Sequence, residues 1–290
     1  MRRIVLAVLL VAAACSREPD PPLEAPETGW VEVAPRQRIF YDIQGRGDTL
    51  IFIHGGYLDR RMWREQVEEF RDAYTIVRYD LRGFGRSDLP RRAYRPAQDL
   101  LALYDALQLG RATLIGHSMG GWAALSFTLA HPERVNALVL AASPAPGLPL
   151  PEEETDPLLE VFATRERAGP DSALVQWLHH PVLASLRNRS ELANQVEFLA
   201  RENERFLTLR FWPFQPEDPP PAARLGEIAV PTLVIWGDRD SELVRQNSVA
   251  TAARIPNARA VTLRGAGHLL NLERPSDFNR ALRALLELDE

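Results

Sequence analysis

Not one of the 290 residues is lysine: all 34 basic positions are arginine. That removes Schiff-base catalysis and the lysine of a nucleotide phosphate loop, both of which need a primary amine. Cysteine is nearly as scarce. The single one, Cys15, stands near the N-terminus, so the body of the chain has neither an intrachain disulfide nor a thiol nucleophile. Positive charge is also short, since 39 acidic residues against 34 arginines leave a net charge of −5. A nucleic-acid partner, which needs a basic face, is therefore not expected. Long hydrophobic runs are missing too: the run at 4–14 is shorter than the ~20 residues of a membrane-spanning helix. No metal is expected either. His179 and His180 are adjacent, their rings would diverge on a helix, and neither a carboxylate nor a third histidine joins them at ligand spacing.

What is present is enough apolar residue content, 46%, for one large core, and a distinctive hexapeptide. Gly116-His117-Ser118-Met119-Gly120-Gly121 follows the β-prone run Ala112-Thr113-Leu114-Ile115. A strand that turns at once into a helix holds its serine in a strained conformation, and only small residues two positions either side avoid the neighbouring backbone. This is the pattern of a nucleophile elbow. Two partners follow in the order Ser, Asp, His. Thr232-Leu233-Val234-Ile235-Trp236-Gly237 reads as a buried strand, with Asp238-Arg239-Asp240 directly after it. Ala260-Val261-Thr262-Leu263 leads into Gly265-Ala266-Gly267-His268, a histidine on a glycine loop. Both loops fall at the same sheet edge as Ser118.

The N-terminus reads as an export signal at 1–14: Arg2 and Arg3, then an apolar stretch ending in Ala12-Ala13-Ala14. With Cys15 and Ser16 next, it resembles a bacterial lipoprotein signal, although Ala12 stands where that pattern most often has leucine. Lipidation of Cys15 would give membrane contact; cleavage after Ala14 would release a periplasmic or secreted protein. Residues 15–29, polar and rich in proline, are expected to be a disordered tether.

From about Trp30 the chain resembles the α/β-hydrolase superfamily. The resemblance rests on the elbow, on Asp240 and His268 in register, on His54-Gly55-Gly56 after Leu50-Ile51-Phe52-Ile53, and on Tyr79-Asp80-Leu81-Arg82-Gly83-Phe84-Gly85-Arg86-Ser87-Asp88 after Thr75-Ile76-Val77-Arg78. It implies an α/β fold: a mostly parallel, doubly wound sheet of about eight strands, formed by 30–142 and 228–290. Strands are expected at 30–34 and 38–43, as an opening antiparallel pair, and at 137–141. Helices are expected at 62–70, 96–107 and 122–130 and after Pro275, where Phe278, Leu282, Leu285 and Leu286 repeat on one face. Between the halves, 143–227 is an insertion bracketed by prolines, with helical stretches at 158–168, 172–179 and 191–211. In the family such an insertion is a cap that shapes the pocket and excludes water.

The resemblance also implies a site: Ser118 as nucleophile, His268 as base, Asp240 as its orienting acid, and the amides of Gly56 and Met119 as oxyanion hole, with Tyr57 a second choice for the first amide. No metal or cofactor is needed. Epoxide hydrolases and haloalkane dehalogenases use an aspartate nucleophile, epoxide opening also draws on cap tyrosines, and this cap has none. Dienelactone hydrolases use cysteine. Proline iminopeptidases carry a different elbow and a glutamine where this chain has Leu81. Carbon–carbon bond hydrolases commonly extend the oxyanion motif with glycine and proline, whereas this chain reads Gly56-Tyr57-Leu58-Asp59. Hydrolysis of a small-molecule ester or lactone is the expectation, and residues 54–63 look somewhat like 3-oxoadipate enol-lactonases. Perhydrolases share the Ser-Met-Gly-Gly elbow and stay open, as do carbon–carbon bond hydrolysis on the same fold and a non-catalytic binding role. Asp80, Arg82 and Asp88 are read as local turn formers, Asp238 as a brace of its turn, His54 as support of the oxyanion loop and His117 as packing or turn-forming. Trp177, Phe211 and Trp212 are read as cap core. The sequence leaves oligomeric state open.

Overall fold

The computed structural model describes residues 26–149 and 157–287. The expected signal segment, Cys15, most of the tether and the cap's entry at 150–156 lie outside the described residues. Eight strands form one sheet: β1 (Glu27–Ala34), β2 (Gln37–Gly45), β3 (Thr49–Ile53), β4 (Thr75–Tyr79), β5 (Ala112–His117), β6 (Val135–Ala141), β7 (Thr232–Gly237) and β8 (Ala258–Leu263). Their order is β1-β2-β4-β3-β5-β6-β7-β8. β1 and β2 run antiparallel to their neighbours and the rest are parallel. Every residue of β5 and β7 is buried, because helices cover both faces of a parallel sheet, and their sequences are accordingly mostly apolar, Thr113, His117 and Thr232 being the polar exceptions.

The core helices are α1 (Arg64–Phe70), α2 (Pro96–Ala106), α3 (Met119–Ala130), α7 (Glu242–Arg254), α8 (Leu270–Glu273) and α9 (Pro275–Leu286); the cap contributes α4 (Pro157–Ala168), α5 (Pro170–His179) and α6 (Ser190–Glu202). In α9 the expected apolar stripe is the buried one: Phe278, Leu282, Leu285 and Leu286 all face the core. α7 had no such signal. Its buried side is Leu243, Val244, Asn247, Ser248 and Thr251, so polar residues interrupt the stripe that periodicity detects.

Two boundaries differ from expectation. The tether ends earlier than residue 29, because Glu27, Thr28 and Gly29 pair with Ile43, Asp42 and Tyr41 in β2; backbone hydrogen bonds at an edge need no apolar side chains. The helix expected at 191–211 stops at Glu202, and a short 3-10 turn, Glu204–Thr208, follows. The cause is Asn203. Its amide donates to Asp59 Oδ2 at 3.0 Å and to the Leu199 carbonyl at 2.8 Å, and its Oδ1 accepts from the Gly85 N–H at 2.6 Å. An asparagine with such partners outcompetes the helix for its own backbone geometry.

Candidate active site

Ser118 sits between β5 and α3 with φ 50° and ψ −118°, a left-handed conformation that costs a non-glycine residue of order 1–3 kcal/mol. The strain is held by packing that admits no side chain. A Cβ on Gly116 would lie 2.5 Å from the Gly121 Cα, and one on Gly120 would lie 2.5 Å from the His54 carbonyl oxygen. The Ser118 N–H donates to the Ala141 carbonyl in β6 at 2.9 Å, and the Ser143 hydroxyl donates to the Ser118 carbonyl at 2.9 Å. Met119 is the first residue of α3, so its N–H has no intrahelical acceptor and points outward from a helix N-terminus.

At the carboxyl end of β7, Asp240 accepts from the Ser241 N–H at 2.8 Å through Oδ1 and from His268 Nδ1 at 3.0 Å through Oδ2. Both side chains are buried. With Nδ1–H committed to the carboxylate, His268 Nε2 carries a lone pair. Asp238 does something else: its Oδ1 accepts from the Gly265 N–H at 2.7 Å and so braces the turn that carries the histidine loop.

His117 does more than pack. Its Nε2–H donates to the His268 carbonyl at 2.8 Å, and the two rings lie 4.9 Å apart. The residue before the serine thus fixes the backbone of the histidine. Burial, reinforced by the proximity of His268, lowers its pKa to about 3, so the ring is neutral. Nothing in the sequence singled out this bond, which spans 151 positions.

The loop expected to form the oxyanion hole follows β3. His54 donates from Nδ1 to the Gly55 carbonyl at 2.7 Å and accepts the Leu81 N–H at Nε2 at 2.9 Å, tying the loop to the end of β4. Burial lowers the His54 pKa, in keeping with this neutral tautomer. A Cβ on Gly55 would stand 3.3 Å from Ser118 Cβ, which places this part of the loop beside the serine. Asp59 closes the loop, held by Arg61 at 2.7 Å and by Asn203 from the cap. Burial alone would raise its pKa; these hydrogen bonds outweigh it and bring it to about 2.

Asp80, Arg82 and Asp88 are structural. Asp80 pairs with Arg60 at 2.9 Å and accepts the Arg86 N–H, Arg82 pairs with Asp99, and Asp88 accepts the Arg38 N–H. His180 donates to Glu160 and His179 to the Val175 carbonyl, and among the described residues no group of three or more His, Cys, Asp or Glu is placed to hold a metal. An aromatic cluster packs the insertion against the loops after β3 and β4, so Trp177 and Trp212 belong to its core as expected. Trp177 of α5 packs 4.9 Å from Tyr57, Phe206 stacks on Phe84 at 4.2 Å, and Phe162 meets Phe206 and Trp212 edge-on.

Comparison with known proteins agrees with this architecture. Over 271 residues the chain is 30% identical to the 2-hydroxy-6-oxononadienedioate/2-hydroxy-6-oxononatrienedioate hydrolase of Paraburkholderia xenovorans, covering 84% of this chain and 88% of that protein. It is 29% identical to 3-oxoadipate enol-lactonase 2 of Acinetobacter baylyi, covering 85% and 92%. A thermophilic esterase from Thermogutta terrifontis superposes with a TM-score of 0.76 at 27% identity, covering 91% of this chain and 99% of that one. Residues 50–281 match the Alpha/beta hydrolase family, and the chain belongs to it.

Proposed function

We propose that the protein is a serine hydrolase that cleaves a small-molecule carboxylic ester or lactone. The observation that carries the reading is the 3.0 Å contact of Asp240 with His268, whose carbonyl is held by the residue preceding a strained Ser118. Ser118 Oγ attacks the carbonyl carbon while His268 Nε2 takes the hydroxyl proton; Asp240 fixes the tautomer and stabilises the imidazolium. The tetrahedral oxyanion takes hydrogen bonds from the amides of Met119 and Gly56, a contribution of about 3 kcal/mol per donor. Collapse expels the alcohol with the proton from His268. Water, deprotonated by the same histidine, then releases the acid and restores Ser118. In a lactone both products stay in one molecule.

Activity-based labelling with a fluorophosphonate, mapped by peptide mass, tests the nucleophile: labelling at Ser118 is expected, and an unlabelled active protein refutes it. A second reading, carbon–carbon bond hydrolysis, is favoured by the relatives that carry out that reaction. Turnover of a 2-hydroxy-6-oxo-dienoate faster than of any ester or lactone in a graded panel would replace the ester reading.

We further propose export, with removal of residues 1–14 and lipidation of Cys15, on the sequence pattern described above. Acyl chains contribute about 0.8 kcal/mol per buried CH₂, and several are needed for stable attachment. Intact mass of the native protein should show acylated Cys15 as its first residue. Cys15→Ser should move activity from the membrane to the soluble fraction with turnover unchanged.

A further inference from the structure

The loop that carries His268 is Gly265-Ala266-Gly267, three residues with almost no side chain to anchor them. Its path is therefore set by hydrogen bonds to its backbone. Three come from the core: Asp238 Oδ1 takes the Gly265 N–H, the Arg239 N–H reaches the Ala266 carbonyl at 2.9 Å, and His117 holds the His268 carbonyl. The others involve the cap. Arg189, just before α6, donates from one guanidinium nitrogen to the Gly265 carbonyl at 2.9 Å and from another to the Glu273 carbonyl at 2.7 Å. Glu273, at the end of α8, has a fully buried carboxylate. Its Oε2 accepts the Gly267 N–H at 3.0 Å, its Oε1 accepts the hydroxyl of Ser185 in the cap at 3.0 Å, and the Arg189 guanidinium stands 3.9 Å away.

We propose that Arg189, Ser185 and Glu273 form a clamp through which the seated cap positions His268, so that cap seating and alignment of the histidine are one event. The proposal rests on the catalytic reading only for the role of His268. Its physical basis is that a buried carboxylate keeps its place only while its partners stay. With the cap displaced, Glu273 loses the Ser185 hydroxyl and the Arg189 charge, and Gly265 loses its guanidinium. Two of the five restraints on the loop then go slack at once. The cap is pinned on the opposite side of Ser118 as well, where Asn203 holds Asp59 of the oxyanion loop and the Gly85 N–H. Arg189, Ser185 and Glu273 are positioning residues, because they act through the loop and touch no reacting atom.

The test uses the purified full chain with Arg189→Ala, Arg189→Lys and Ser185→Ala. Arg201→Ala, which removes an exposed α6 ion pair with Glu197, is the control. Two readouts are taken: kcat and KM on a short-chain p-nitrophenyl ester, and amide hydrogen exchange of residues 265–268 against β5 and β7. Arg189→Ala should lower kcat about 10–100-fold with KM changed less than about threefold, as a misplacement near 1 Å does. Exchange at 265–268 should rise roughly tenfold while the strands stay protected. Arg189→Lys, able to reach one carbonyl, should recover part of both, and Ser185→Ala should move both in the same direction by less. Unchanged exchange at 265–268, or a loss confined to KM, overturns the clamp. If Arg189→Ala does not fold, Ser185→Ala decides by the same two readouts. If wild type proves inactive on esters, the catalytic reading fails and the exchange readout alone still decides the clamp.

Discussion

Two sets of buried carboxylates occupy the sheet's carboxyl edge and its flank, and they are neutralised in different ways. On the β2 and β4 side, Asp42 is shared by Arg60 and Arg78, Asp80 takes Arg60, and Asp99 accepts from Nε and Nη2 of Arg82, whose guanidinium also lies 3.9 Å from the Tyr94 ring centroid. On the β7 side, Asp240 faces the imidazole of His268 and accepts from the Ser241 backbone amide. A guanidinium is permanently charged and forked, so it locks a carboxylate. An imidazole can gain and lose a proton, so the carboxylate facing it can respond to a reaction. On the proposed catalytic reading, the contrast separates scaffold from chemistry more sharply than burial does, since Asp99 and Asp240 are both buried.

The comparison can be broken or sharpened by substitution. The largest effect is expected for Ser118→Ala, which should lower kcat on a responsive ester by up to about 10⁶ with folding intact by circular dichroism. Near-normal turnover would remove the nucleophile and with it the meaning of Asp240. Asp240→Asn should come next, a fall of about 10⁴ in kcat, because the amide presents the wrong partner to Nδ1. Asp99→Ala should act oppositely: it strands Arg82 in the interior and should cost about 3–5 kcal/mol in urea unfolding, with kcat per folded molecule retained. Equal kinetic losses in the Asp240 and Asp99 variants would erase the distinction.

His117 gives a subtler test through pH. Its folded pKa of about 3 lies below the ordinary 6.5, so between these values the unfolded chain binds a proton that the native one refuses. Stability should therefore fall as pH drops through that window, by about 1.4 kcal/mol per unit from this group. His117→Asn should flatten that part of the stability curve, and an unchanged slope would mean that the buried ring is not what acid attacks. The smallest effect is expected for Asp238→Asn: about 1 kcal/mol of stability and little change in kcat, since the amide Oδ1 still accepts the Gly265 N–H and only the carboxylate's charge is lost.

What the sequence made legible was local or ordered. The strained turn at Ser118 was legible because its constraints lie within six residues, and the approach of Asp240 to His268 because each stands a few residues beyond a strand end; their roles rest on the resemblance. Asp238 was separable from Asp240 by position alone. What stayed hidden depends on contacts across long stretches of chain. Asn203 breaks the expected helix for a partner 144 positions away, and the Arg189 guanidinium reaches a carbonyl 76 positions on; neither leaves a trace in periodicity or composition. α7 escaped notice because its inward face is half polar, and β1 began early because an edge strand pairs by backbone alone.

The glycines under Ser118 decide where this protein can be redesigned. A Cβ on Gly55 would come within 2.5 Å of His117 Nδ1, one on Gly116 would strike the next turn of α3, and one on Gly120 would strike the oxyanion loop. A mutant library aimed at these floor positions would mostly sample unfolded chains, however many codons it explored. Diversity is admissible away from this floor, at positions such as the half-buried Trp212. On the ester or lactone reading, selection for new acyl or alcohol groups should leave the positions beneath Ser118 blank.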